Sequence, residues 1–69
     1  MNIDEAKKNL NKMVDYKGDK ETYMLTACIL RKNERGYFYR VELLDTKHGN
    51  SVLIVGLKDI SAIEEGETA

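Results

Sequence analysis

The chain has 69 residues, of which 42% are hydrophobic and 33% charged, with a net charge of −1. That length allows one domain, 1–69, and the balance of apolar and charged residues excludes a disordered chain. The near-zero charge excludes a molecule that is, as a whole, an electrostatic trap for nucleic acid or anionic lipid.

A domain this small buries only about 60% of its unfolded surface, so its core is marginal and a staple or a partner is expected. One cysteine, Cys28, leaves no internal disulfide and suits a reducing compartment. No apolar run is longer than Val52-Leu53-Ile54-Val55, far short of the roughly 20 residues of a membrane helix. Met1-Asn2-Ile3-Asp4-Glu5 is acidic and has no apolar signal core. The expected location is therefore the cytoplasm, away from membranes.

In chain order, residues 2–15 read as a helix. Ile3, Ala6, Leu10, Met13 and Val14 share one helical face. Asn2 is the expected N-cap, with Glu5 as its reciprocal partner. Asp4 and Glu5 early, and Lys7, Lys8 and Lys12 later, suit the helix dipole. Gly18 is the expected stop. The apolar face is expected to dock on the rest of the domain, since a helix of this length does not hold itself in water.

Residues 21–32 read as a strand with apolar side chains on both faces: Tyr23, Leu25, Ala27 and Ile29 on one, Met24, Thr26, Cys28 and Leu30 on the other. Arg31 to Gly36 is a polar turn, suited to a hairpin of more than two loop residues. Residues 37–45 form the clearest strand, with Tyr37, Tyr39, Val41 and Leu43 facing one way and Phe38, Arg40, Glu42 and Leu44 the other. Residues 45–51 form a loop rich in turn formers. Val52 to Val55 is a short buried strand, Gly56 to Asp59 a break, and Ile60 to Ile63 a last strand. The tail 65–69 is acidic and expected to fray.

The expected class is α+β: an N-terminal amphipathic helix on a small antiparallel barrel spanning about 21–64. Ser51 to Ile63, a strand followed by a single turn and a closing strand, resembles the end of SH3-like small barrels. With the hairpin 21–45, the chain looks like such a barrel with an added helix, an arrangement similar to Sm-like proteins. Its general look is also similar to small accessory proteins of phages and mobile elements. The tryptophan and the acidic-aromatic opening of proline-binding SH3 domains are absent, and so is the Sm glycine and asparagine signature. The resemblance therefore implies a fold and an interaction role, without a ligand.

The stretch most suggestive of binding is 31–40, with four basic residues, one acid and three consecutive aromatics. Cations pair with phosphates and aromatic faces stack on bases. Arg35-Gly36-Tyr37-Phe38-Tyr39 is similar to the RNA-binding strand of RRM and cold-shock domains, although Phe38 and Arg40 depart from that pattern. Tyr37 and Tyr39, in phase with Val41 and Leu43, are expected at the core or its edge. The candidate interaction patch is Arg31, Lys32, Arg35, Phe38 and Arg40.

No catalytic or metal residue is expected. His48 has no second histidine and no neighbouring cysteine, where a metal needs three or four converging ligands. Cys28 reads as a small core filler without a base beside it. The carboxylates Glu42, Asp45 and Asp59 are scattered, with Glu42 expected to pair across strands. The glycines are too dispersed for a phosphate loop. No cofactor is implied. The expected function is a non-enzymatic interaction module for a protein partner or a second copy, with single-stranded nucleic acid as the alternative ligand of 31–40.

Overall fold

The N-terminal cap forms as the sequence predicts. In a computed structural model that describes residues 1–63, the Glu5 amide donates to Asn2 Oδ1 at 2.8 Å and the Asn2 amide donates to Glu5 Oε1 at 3.1 Å. The helix that follows, α1 (Ile3–Lys8), is much shorter than expected. Asn9 closes it: its amide reaches the carbonyls of Glu5 and Ala6, and its side-chain nitrogen donates to the Glu5 carbonyl at 2.8 Å. Asn11 then turns left-handed, with φ 67°, a conformation that asparagine tolerates better than most residues.

The second half of the expected helix is a strand, β1 (Met13–Tyr16). Val14 and Tyr16 favour extended backbone, and a partner strand is at hand. The Asn11 amide donates to the Leu25 carbonyl and the Leu25 amide to the Lys12 carbonyl, which docks the chain on β2 (Glu21–Asn33). Gly18 therefore ends no helix. It lies in the β1–β2 turn, where a Cβ would fall 2.5 Å from the Tyr16 ring.

β2 runs into β3 (Gly36–Leu44) through a two-residue connection, Glu34-Arg35, tighter than expected. Asn33 Oδ1 accepts from the Arg35 amide at 2.8 Å, and Gly36 takes φ 125° opposite Asn33. A bulge at Thr26, between Leu25 and Ala27, changes the phase of β2. Leu25 pairs with Leu43 and Cys28 with Val41, both facing the core, whereas Ala27 pairs with Glu42 and faces outward. The two faces expected from strict alternation are exchanged beyond the bulge. Thr26 Oγ1 donates to Glu42 Oε1 at 2.7 Å, the cross-strand pairing expected of Glu42.

β4 (Val52–Gly56) lies beside β3, followed by a 3-10 turn at Leu57–Asp59 and β5 (Ile60–Ala62). β5 pairs with β1, not β4, giving five antiparallel strands in the order β4-β3-β2-β1-β5. The expectation had four strands. Among the described residues no pairing joins β4 to β5, so the hydrogen-bonded ladder does not close.

The sheet packs on one core of Val14, Tyr23, Leu25, Val41, Leu43, Val55 and Ile60, with Ala6 of α1 as part of it. The docking of α1 follows from its length, because six residues are well short of what sustains an isolated helix. The Met1 amine donates to the carbonyls of Leu57 and Ile60. The expected fraying at 65–69 lies outside the described residues.

Candidate interaction surface

Strand lengths set the shape of the surface. β2 and β3 have 13 and 9 residues, whereas β1 has 4 and β4 has 5. β1 reaches only Met24 along β2, and β4 reaches only Arg40 along β3. Beyond those points the β2–β3 hairpin overhangs as a two-stranded arm.

The overhang exposes residues whose phase belongs to the core. Tyr37 and Tyr39 share a face with Val41 and Leu43, yet they are 70% and 40% exposed. Leu30, opposite Tyr39, is 57% exposed. The two tyrosines are therefore not core residues, because the arm carries them past the strands that would cover them. Periodicity places a side chain on a face, but it does not say how far the neighbouring strands extend. The unequal strand lengths were the available signal.

The candidate patch divides among three places. Arg31 and Phe38 are cross-strand partners on the outward face, with Arg40 two residues on; its guanidinium carbon is 5.6 Å from the centre of the Phe38 ring. Lys32 is on the opposite face, with its amine 5.4 Å from the centre of the Tyr37 ring. Arg35 sits in the turn at the tip. Arg31, Lys32, Arg35 and Arg40 are exposed, and Phe38 is half-buried.

The outward face continues onto β4. Val52 and Ile54, expected in a buried strand, are 52% and 45% exposed, because β4 ends the ladder and only its inner face meets the core. Met24, Ala27, Ile29 and Leu44 are half-buried on the same outward face. The result is an apolar surface with Arg40 and Glu42 set within it.

The isolated chemical groups have structural surroundings. Asp45 accepts from the backbone amides of Lys47 and His48 at 2.9 and 3.0 Å. The Lys47 amide first, and then the His48 amide and ring, hold its carboxyl below the ordinary 3.8 against the opposing effect of desolvation. His48 Nδ1 lies 3.3 Å from Asp45 Oδ2, on an exposed loop. Cys28 packs half-buried on β2 opposite Val41. Among the described residues no three His, Cys, Asp or Glu side chains converge as a metal site. No described helix is long and apolar enough to cross a membrane.

Tyr23 carries the largest electrostatic shift. Its hydroxyl donates to Asp19 Oδ2, and that bond raises the phenol from 10.0 to about 12, helped by burial and by the charges of Asp19, Asp45 and Glu21. The fold thus favours the protonated phenol. Its stabilisation is complete below the unfolded value near 10.0 and is lost as pH rises towards about 12. Alkaline unfolding should show this loss in the natural chain and lose that component in Tyr23→Phe. An unchanged alkaline profile would remove the Asp19–Tyr23 bond from the account.

Compared with known protein families, curated proteins and solved structures, the chain matches none.

Proposed function

We propose that the chain is a non-enzymatic, SH3-like interaction module that works in the cytoplasm and binds a protein partner or a second copy of itself. The observation that carries this reading is the exposure of Leu30, Tyr37 and Tyr39 together on one face of the β2–β3 arm; Val52 and Ile54 are exposed on the opposite face of the sheet. Large apolar side chains grouped on a surface mark an interaction site more often than a solvated face. Aromatic residues flanked by arginine are typical interface anchors. The strand order, with a single 3-10 turn between β4 and β5, supports the SH3-like reading.

A second reading has its own observation. Tyr37 and Tyr39 present exposed rings on an arm that also bears Arg31, Lys32, Arg35 and Arg40. Such an arm could stack on unpaired bases while its cations meet phosphates.

One experiment separates the two. Natural chain and a Tyr37→Ser/Tyr39→Ser variant serve as baits in host lysate at low salt, with and without nuclease. Protein capture that survives nuclease and is lost in the variant supports the first reading. Capture that nuclease abolishes, with salt-sensitive binding of an unstructured oligonucleotide, supports the second. Equal capture by both baits overturns the assignment of the arm. Tyr37 is exposed, so Tyr37→Ser alone should change stability by no more than about 0.5 kcal/mol.

A further inference from the structure

The outer edge of β4 shows which backbone groups are unpaired. The Asp45 amide donates to the Ser51 carbonyl, so these opposed residues form a hydrogen-bonded pair. Such pairs alternate along an antiparallel ladder. Leu43–Leu53 and Val41–Val55 are therefore hydrogen-bonded pairs, whereas Leu44–Val52, Glu42–Ile54 and Arg40–Gly56 are not. It follows that Val52, Ile54 and Gly56 direct their backbone N–H and C=O groups away from β3. The Gly56 amide fits this pattern, being taken by Asp59 Oδ2 at 3.2 Å.

Among the described residues the edge is thus a short row of free donors and acceptors at Val52 and Ile54. Most edge strands are protected by a charge, a proline or a covering segment. Residues 52–56 contain neither charge nor proline, and among the described residues no strand pairs with this side. At the other end of the ladder, β5 has three residues, and the outward side of Ile60 is already met by the Met1 amine.

We infer that β4 pairs with β4 of a second copy, antiparallel about a two-fold axis at Leu53, to make one continuous ten-stranded sheet. The inference rests on reading the outward surface as an interaction surface and names its occupant. Self-complementarity argues for a second copy. With the axis at Leu53, Val52 of each copy lies opposite Ile54 of the other, and the free N–H and C=O groups of both residues find partners. An axis at Ile54 would instead set Val52 against Gly56, whose amide is already used. The favoured register gathers both Val52 and both Ile54 side chains on the outward face and brings no two charges face to face. A two-fold contact of this kind closes on itself and leaves no growing edge at β4.

Two short strands cover less than the roughly 1,200–2,000 Å² of a standard interface, so the dimer is weak and depends on concentration. Sedimentation equilibrium of the full chain from about 10 µM to about 1 mM detects a dimer whose association is worth only about 4–7 kcal/mol. The mass should rise from 7.9 kDa towards twice that value. The Val52 and Ile54 amides should exchange more slowly as concentration rises, with that of Leu53 unaffected.

Val52→Pro removes an outward donor without touching the ladder to β3, at a first-strand position where proline is tolerated. It should remain folded and monomeric. Ile54→Lys should do the same by placing charge at the contact, and Leu30→Lys on the arm should still dimerise. A natural chain that stays monomeric throughout, or a dimer that Val52→Pro and Ile54→Lys leave intact, overturns the inference. A monomer that still captures a protein through the arm would leave the broader interaction reading standing.

Discussion

Replacing Leu25 by alanine is expected to leave the chain close to its unfolding threshold at room temperature. Leu25 is fully buried, faces Leu43 across β2–β3 and sits beside the bulge at Thr26. Its backbone also ties β2 to the segment before β1, through the Asn11 amide and the Lys12 carbonyl. Truncating a buried leucine costs about 2–5 kcal/mol through lost transfer energy and the cavity left behind. A domain of this size has a total stability of about 3–10 kcal/mol on the usual per-residue scale. The melting temperature should therefore fall by roughly 10–30 °C.

The control is another leucine on the same strand and the same face. Leu30→Ala should change stability by no more than about 0.5 kcal/mol, because the arm carries Leu30 beyond the core. Thermal and urea denaturation of the two variants measure this difference directly. A large loss in Leu30→Ala would mean that the arm is covered in solution.

The second large effect concerns Val14. Val14→Asp should abolish folding at neutral pH, whereas Leu10→Asp should be tolerated. In a helix through residues 2–15, Ala6, Leu10 and Val14 would lie one turn apart on a single buried face, and the two substitutions would be equivalent. In the fold observed they are not. Val14 is in β1, fully buried between Tyr23 of β2 and Ala62 of β5, whereas Leu10 lies past the end of α1 and is 37% exposed. An unpaired charge buried at residue 14 costs about 3–5 kcal/mol, on top of the roughly 1.5–3 kcal/mol lost with the valine side chain. The sum is comparable to the whole stability of the domain. Circular dichroism of the two variants decides the point; a folded Val14→Asp would contradict the position of β1 in the core.

Both results bear on the candidate surface. β1 holds β5 to the sheet and stops short along β2. That early stop is what frees the β2–β3 arm. The arm displays Tyr37 and Tyr39, while the end of the ladder displays Val52 and Ile54. One arrangement of unequal strands therefore produces both exposed apolar patches, one on each face of the sheet.

Several features could be read without the fold because their causes lie within a few residues of one another. The Asn2–Glu5 cap, the strands of the long hairpin, the turn at Asp45–Ser51 and the break after Gly56 are local in this sense: short polar side chains bond nearby amides, and glycine admits turns. Residues 10–15 read as the end of the helix, because the spacing of Leu10, Met13 and Val14 satisfies one, yet Met13–Tyr16 is a strand, which Val14 and Tyr16 suit. The amide of Leu25, distant in sequence, resolved the choice in favour of β1.

The candidate patch was legible in composition but not in arrangement. Arg31, Lys32, Arg35, Phe38 and Arg40 are close in sequence, yet alternation along paired strands sends Lys32 to one face and Arg31, Phe38 and Arg40 to the other. The bulge at Thr26 exchanged the faces of β2, and the short reach of β1 and β4 left Tyr37 and Tyr39 uncovered on the core-side face. Neighbours along the chain set where the helix starts, where the long hairpin extends and where the chain turns, whereas the extension of β1 waited on Leu25. Tertiary structure alone decided which apolar residues are covered, because burial depends on register and on the lengths of strands far apart in the chain.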